Sequence, residues 1–347
     1  MLSSTEINGF RAELLTWFAG QRRDLPWRRT RDPYAIWISE VMLQQTRVTA
    51  VVPYYERFLA RFPDLKALAD ASESELLAAW AGLGYYYRAR NLQEAAKRIC
   101  AAGAFPREYE TIRQLPGIGA YTAAAVASIA FDQPHAVLDG NVFRLLSRIL
   151  DDGTNIASNA GRKHFAAAAE RLLDRTRPGT FNQAVMELGA LVCLPKNPQC
   201  LVCPVAGICK ARASGRQNEL PVKIVVRKSV EECRVLYWIE QGNEVLAWRR
   251  RENSRLMPGF WELPERDQLP QIMTRRMLGS FRHSITFHRF RFDVWEADAP
   301  ARLGECQWIS LEELNQLPQS TVFKKARRVV DGAREAATAR SAAASGL

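Results

Sequence analysis

Apolar residues recur at helical spacing through the first two thirds of the chain. Ile7, Phe10, Leu14, Trp17 and Phe18 follow a 3.6-residue repeat and predict an amphipathic first helix. Tyr34 to Thr49 is apolar almost all round and predicts a helix buried on every side. Leu76, Leu77 and Trp80 predict another, stopped by Gly82 and Gly84. Ala89 to Ala102 predicts a third, stopped by Gly103 with Pro106 beyond it. Further helices are expected over 119–131, 140–150, 159–173 and 180–191. From about 211 the chain turns polar and basic, with Gly215 and Pro221 and no long apolar stripe, so 212–229 is read as a linker. Beyond it the period changes to two. Cys233, Val235, Tyr237 and Ile239 alternate, Gly242-Asn243 forms a turn, and Val245–Ala247 resumes. Phe281 to Trp295 alternates again, and Leu311–Leu314 starts a short helix. The expected architecture is a mainly α domain over 1–211 and an α+β domain over 230–332. The remaining tail, 333–347, is rich in Ala, Arg and Ser and is expected to fray.

Composition narrows the classes. At 347 residues, 47% hydrophobic and 24% charged, the chain suits two folded domains and excludes wholesale disorder. No apolar run approaches the roughly 18 residues of a membrane span, and no secretory signal is expected from Met1–Glu6. Forty-eight Lys and Arg against 37 Asp and Glu give a net charge of +11, which points to a polyanionic partner such as nucleic acid.

The cysteines carry the first specific signal. Cys193, Cys200, Cys203 and Cys209 form C-x6-C-x2-C-x5-C, dense enough to wrap one metal centre. A four-cysteine zinc site and a [4Fe–4S] cluster both remain open on spacing. The single C-x2-C knuckle, with Pro195, Pro198 and Pro204 in the loop, fits the cubane better. Cys100, Cys233 and Cys306 read as small hydrophobes. A second signal is Leu115-Pro116-Gly117-Ile118-Gly119-Ala120-Tyr121-Thr122, lying between two helical patterns. Gly117 and Gly119 permit a tight hairpin around Ile118. Its backbone N–H groups then meet the next helix's N-terminus, where a DNA phosphate is the natural guest.

With these residues in place, the helical domain resembles the helix–hairpin–helix DNA glycosylases that carry an iron–sulfur loop, the family of endonuclease III and the MutY-type adenine glycosylases. Leu25-Pro26-Trp27-Arg28, Trp37 to Thr46, Gly82-Leu83-Gly84-Tyr85-Tyr86, Leu138 to Val142 and Phe181-Asn182-Gln183 are similar to the adenine glycosylases in particular. The resemblance covers nearly the whole chain and implies a [4Fe–4S] cluster on the four cysteines.

Two positions set the expected chemistry. The lyases of this family use a lysine two residues after the second hairpin glycine; here that position is Tyr121, and a phenol cannot form a Schiff base. The resemblance therefore implies a monofunctional enzyme, with Tyr121 lining the sugar pocket. Glu40 sits within an apolar run, where desolvation would raise its pKa into the range of a general acid. It would protonate adenine at N7 and release it as a neutral base. Asp139 reads as an N-cap before Gly140-Asn141-Val142. By resemblance it is also the family's essential aspartate, stabilising or trapping the oxocarbenium-like sugar.

The resemblance assigns the other residues. Trp27, Arg28, Leu43 and Gln183 would line the adenine pocket. Gln45 and Tyr85 would be the wedge that fills the gap left by the extruded base. Lys196 and Arg212, near the cluster loop, read as solvated charges that can also reach phosphates. Residues 244–264 are similar to a Nudix-type domain without the hydrolase carboxylate run, so no pyrophosphatase activity is expected; the resemblance to the adenine glycosylases implies that this domain reads the lesion. Phe281-Arg282-His283-Ser284 departs from the family pattern in the next four residues, leaving Ser284, Thr286 and His288 as candidates for contacting 8-oxoguanine.

The expected function is removal of adenine paired with 8-oxoguanine, and also with G, from double-stranded DNA in base excision repair. The expected protein is a cytoplasmic, nucleoid-associated monomer without membrane contact. Two alternatives stand beside it: an endonuclease III-like glycosylase/lyase for oxidised pyrimidines, and a non-catalytic lesion-binding protein.

Overall fold

Helix follows helix from Ser4 to Ala213. They are α1 (Ser4–Gln21), α2 (Pro33–Leu43), α3 (Val48–Arg61), α4 (Leu65–Asp70), α5 (Glu73–Trp80), α6 (Tyr87–Ala102) and α7 (Tyr109–Arg113), then α8 (Ala120–Phe131), α9 (Gly140–Leu150), α10 (Asn159–Leu172), α11 (Pro178–Leu191) and α12 (Lys210–Ala213). The structure is a computed structural model and describes residues 2–225, 230–251, 254, 257–285 and 288–344. They fall into two units, Met1–Val225 and Val226–Leu347.

The helices of the first unit start where side chains accept the orphan backbone donors of their first turns. Ser3 and Glu6 make a capping box on α1, Ser72 and Glu75 make another on α5, and Asp32 and Asp139 cap α2 and α9. Two hydrophobic clusters form the core. Trp37, Ile38, Phe58, Trp80, Leu92 and Val126 anchor one; Phe10, Leu14, Leu145, Phe165, Phe181 and Leu188 anchor the other. Helix α8 serves both, with Ala123 and Val126 in the first cluster and Ala124 and Ala125 in the second. Its small side chains let neighbouring helices approach on two sides.

The second unit contains β1 (Val230–Trp238), β2 (Glu240–Gln241), β3 (Glu244–Arg249), β4 (Trp261–Glu262), β5 (Thr274–Ile285), β6 (His288–Ala297), β7 (Cys306–Ser310), α13 (Leu311–Gln316) and α14 (Thr321–Ala344). One sheet has the order β1-β6-β5, with β1 parallel to β6; the other joins β2, β3 and β4, with β7 on β3. Leu236, Trp238, Phe292 and Val294 pack with Phe323, Ala326 and Val330 of α14. The fold class is thus the expected one, an α domain with a helix–hairpin–helix followed by an α+β unit.

Three expectations are corrected. The run from Tyr34 to Thr49 is not one helix: α2 stops at Leu43, Gln45 takes φ +60°, and α3 restarts at Val48. The reason is the buried Arg88, whose guanidinium captures the carbonyls of Val41, Met42 and Gln44. Residues 212–225 belong to the first unit rather than to a linker. Leu220 is buried, its carbonyl accepts from Arg148 Nε at 3.1 Å, and the Val222 carbonyl accepts from Ile156 N at 3.0 Å. The tail does not fray from Gly332, because α14 continues to Ala344 through a stretch rich in Ala, the best helix former.

Candidate active site

The extended segment before α9 and the buried helix α2 bring two carboxylates to one cavity of about 540 Å³ in the first unit. Glu40, Asp139 and Tyr121 line it together with Trp27, Arg28, Leu43, Gln45 and Gln183. Eight residues expected from sequence thus meet in one place. The volume lies within the range of ligand pockets, about 300–1,000 Å³.

Glu40 is 5% exposed, on the helix turn between Ile36 and Leu43. Burial raises its pKa from the usual 4.5 to about 7; Asp139 adds to the rise, while the Tyr121 hydrogen bond and Arg28 oppose it. Tyr121 Oη donates to Glu40 Oε2 at 2.7 Å and also lies 3.1 Å from Met186 Sδ. Burial and the neighbouring carboxylates push the phenol well above its usual value, so it stays a donor.

Asp139 caps α9. Its Oδ1 accepts from Val142 N at 2.8 Å and its Oδ2 from Asn141 Nδ2 at 2.9 Å. Burial raises its pKa, and these hydrogen bonds and Arg144 resist the rise. Asn182 holds the segment leading to it: Nδ2 donates to Ser128 Oγ and His135 O, both at 2.8 Å, and Oδ1 accepts from Val137 N at 3.2 Å. A polar chain continues from Asp139 through Asn141 to Arg144, whose Nε donates to Cys193 O at 2.7 Å.

Arg28 reaches the cavity wall, but both its Nη atoms are committed to Glu187, at 2.8 and 2.9 Å. Arg23 reaches the same carboxylate through N and Nε at 2.9 Å and Nη2 at 2.5 Å. Burial pushes Glu187 up, yet the hydrogen bonds from the two arginines prevail and hold it near 2. Its folded pKa lies below the unfolded one, so its contribution to stability is complete above about pH 4.5 and fades as pH falls towards 2. Glu187→Gln strands two guanidinium groups over a neutral amide. It is expected to cost about 3 kcal/mol at pH 7 in urea unfolding, with the difference shrinking at acid pH. An unchanged unfolding midpoint would contradict this.

Gln45 is exposed on the cavity rim. Tyr85, 51% exposed, stands apart from the cavity wall beside Tyr87, with ring centroids 6.2 Å apart and φ +48°. Trp27 is buried edge-on against Tyr55. In the hairpin, Gly117 takes φ +74° and Gly119 is the N-cap of α8, whose first amides have no side-chain cap among the described residues. Gly117 and Gly119 are exposed and Ile118 is buried beneath them.

The four cysteines line one small cavity with Arg148, Leu145 and Arg212. Cys193 is buried, and Arg148 Nη1 lies 3.2 Å from its sulfur. Among the described residues no group of three or more His, Cys, Asp or Glu side chains is arranged to hold a metal ion by itself. Lys196 is exposed and Arg212 donates to Ala206 O at 3.3 Å.

In the second unit, Thr286 lies outside the described residues. Ser284 is exposed and pairs in register with Arg289; His288 pairs with Ile285, and its Nδ1 lies 2.6 Å from Glu232 Oε1. Glu262 and Glu265 are bound by Arg250 and Arg234, at 3.0 and 2.8 Å.

Sequence reasoning missed Glu187, Arg23, Asn182 and Arg88. Asn182 was within a family-like block, whereas the others carried no local signal.

Residues 38–171 match the family described as HhH-GPD superfamily base excision DNA repair protein. The chain is 46% identical to adenine DNA glycosylase of Mus musculus, covering 95% of this chain and 79% of that one. It is 35% identical to adenine DNA glycosylase of Homo sapiens, covering 94% and 75%. Among solved structures, a thermostable thymine-DNA glycosylase superposes with a TM-score of 0.56 at 31% identity, covering 60% of this chain and 98% of that one. An endonuclease III trapped in a covalent complex with DNA shares the fold at TM-score 0.53 and 22% identity, covering 62% and 99%. The chain belongs to the adenine DNA glycosylase family of the HhH-GPD superfamily.

Proposed function

We propose that this chain is a monofunctional adenine DNA glycosylase of base excision repair, acting on adenine opposite 8-oxoguanine or G in double-stranded DNA. The observation that carries the reading is that buried Glu40, held by Tyr121 Oη at 2.7 Å, lines the same cavity as Asp139; burial raises its pKa to about 7. Glu40 gives its proton to adenine N7. The C1′–N9 bond breaks with its electron pair moving onto the base, which leaves neutral. As Glu40 becomes an anion, the Tyr121 O–H donates to it and stabilises the charge. Asp139 faces the electron-deficient sugar, lowers its energy electrostatically or traps it, and water completes hydrolysis. The lyase alternative needs an amine, and among the described residues lining the cavity none is lysine. The sensor alternative leaves a near-neutral acid and its partner carboxylate without a task.

Gln45 and Tyr85 are proposed as the wedge, Gly117–Gly119 as a phosphate grip, and Trp27, Leu43 and Gln183 as the adenine pocket. Arg28 would act there chiefly through its charge, since both its Nη atoms donate to Glu187. The opposing lesion is proposed to meet the β5–β6 hairpin at Ser284, Thr286 and His288. Cytoplasmic, nucleoid-associated operation as a monomer is proposed alongside it. Single-turnover excision opposite 8-oxoguanine, G and T tests the substrate: adenine is released fastest opposite 8-oxoguanine and slowest opposite T. Equal rates opposite 8-oxoguanine and G would remove the lesion-reading role.

Cys193, Cys200, Cys203 and Cys209 are proposed to hold a [4Fe–4S] cluster. Their spacing, their common cavity and Arg148 Nη1 at 3.2 Å from the Cys193 sulfur suit a thiolate-bound cluster. The cluster would supply a structured, DNA-facing loop and no step of the glycosidic reaction. Purified protein should contain about four iron and four sulfide per chain; zinc without sulfide would refute the assignment.

A further inference from the structure

One buried cation has no part in the chemistry above. Arg88, on α6, is 3% exposed and among the described residues makes no ion pair. Its guanidinium is held by main-chain carbonyls instead. Nη1 donates to Val41, Met42 and Gln44 at 2.8, 3.3 and 2.6 Å; Nη2 donates to Leu83 and Gly84 at 3.0 and 3.3 Å. These five acceptors belong to two segments far apart in sequence. One ends just before Gln45 and the other just before Tyr85.

Both of those residues are exposed, and both are non-glycine residues in the left-handed region, at φ +60° and +48°. Such conformations persist only where the surroundings impose them. Here the imposing group is one planar fork, whose two nitrogens satisfy the carbonyls on either side. The Tyr85 ring also lies over it, 5.6 Å from the guanidinium carbon to the ring centroid. One turn further along α6, Asn91 packs on the hairpin: a Cβ on Gly117 would fall 2.7 Å from Asn91 Cβ. Trp37 and Arg88, whose Nε1 and Nε are buried without a hydrogen-bond partner among the described residues, line the small cavity between these parts. Helix α6 therefore joins the loop of Gln45, the loop of Tyr85 and the hairpin turn.

We propose that Arg88 is a positioning residue for base extrusion, fixing Gln45 and Tyr85 in their projecting conformations and tying both to the helix that supports the hairpin. The proposal rests on the reading of Gln45 and Tyr85 as the wedge. A wedge ordered beforehand need not be ordered while a base is being unstacked, so extrusion is faster. The chemical step, which belongs to Glu40 and Asp139, is untouched.

The test is Arg88→Lys in the full chain. Lysine keeps the charge but its donors radiate from one nitrogen and cannot span two loops. Single-turnover excision is measured on a duplex with A opposite G, and on the same duplex with A opposite an abasic site, where A is already unpaired. Excision opposite G should fall about 30-fold, and excision opposite the abasic site by less than about 5-fold, because extrusion is easy there. The pH profile should not move. Wild-type rates on both duplexes, or equal losses on both, would overturn the proposal. Wild-type protein that excises adenine from neither duplex would instead overturn the underlying reading, and the inference with it. Hydrogen exchange of the wild-type chain gives a second check that needs no variant. Amides of 43–46 and 83–86 should open with equal free energies, as one unit; unrelated protection in the two segments would contradict the tie.

Discussion

Glu40→Gln is expected to lower single-turnover adenine excision about 10³-fold while mispair affinity changes less than about 3-fold. Glutamine fills the same volume and its amide oxygen can still accept from Tyr121, so the cavity keeps its shape. What disappears is the transferable proton. In the wild type, that proton is held near neutrality by burial first and by Asp139 second. Excision should accordingly decline as pH rises through about 7, and the residual activity of the variant should lack this limb. Stability gives an independent reading of the same group. Its folded pKa is raised, so its contribution is complete below about pH 4.5 and is lost as pH rises through about 7. Above pH 7 the wild type carries a buried anion that the variant does not, and the variant should unfold at higher temperature, by up to about 3 kcal/mol of stability. A variant that excises at more than a tenth of the wild-type rate would remove Glu40 from the chemistry.

Asp139→Asn separates two functions of one side chain. Asparagine caps helices about as well as aspartate, so α9 should keep its start and the melting temperature should change little. Excision should nevertheless fall about 10²- to 10³-fold, because the neutral amide no longer faces the cationic sugar. Asp139→Ala should lose the same activity and, in addition, about 1 kcal/mol of stability with the cap. If Asp139→Asn kept full activity while Asp139→Ala lost it, the residue would be a cap alone.

The residues legible in the sequence are those whose chemistry is local. Glu40 stood out because a carboxylate inside Ile36–Leu43 must be compensated or protonated. The cysteines stood out by their spacing, and Asp139 and the hairpin by short motifs. The residues that were not legible act across distance. Glu187 meets Arg28 at a separation of 159 residues, and the two arginines look like ordinary surface charges until the fold brings them together. The break between α2 and α3 was hidden for the same reason. The apolar pattern runs on through Val48, while the group that stops the helix, Arg88, lies 44 residues beyond Gln44. In the second unit, alternation over 281–295 marked strand character but not the β5–β6 hairpin within it. Alternation fixes which face a side chain takes, not where the chain reverses. The length of α14 was missed because a low-complexity Ala-rich sequence suits a helix as well as a frayed end.

The most direct test of the central claim is a single-turnover reaction on a duplex with one adenine opposite 8-oxoguanine. Released free base is measured alongside strand scission with and without alkali, and borohydride is added in a parallel sample. The account predicts stoichiometric adenine release, breaks only after alkali and no protein trapped on DNA, because Tyr121 offers no amine. Borohydride-trapped protein with breaks in the absence of alkali, or no adenine released at all, would contradict it.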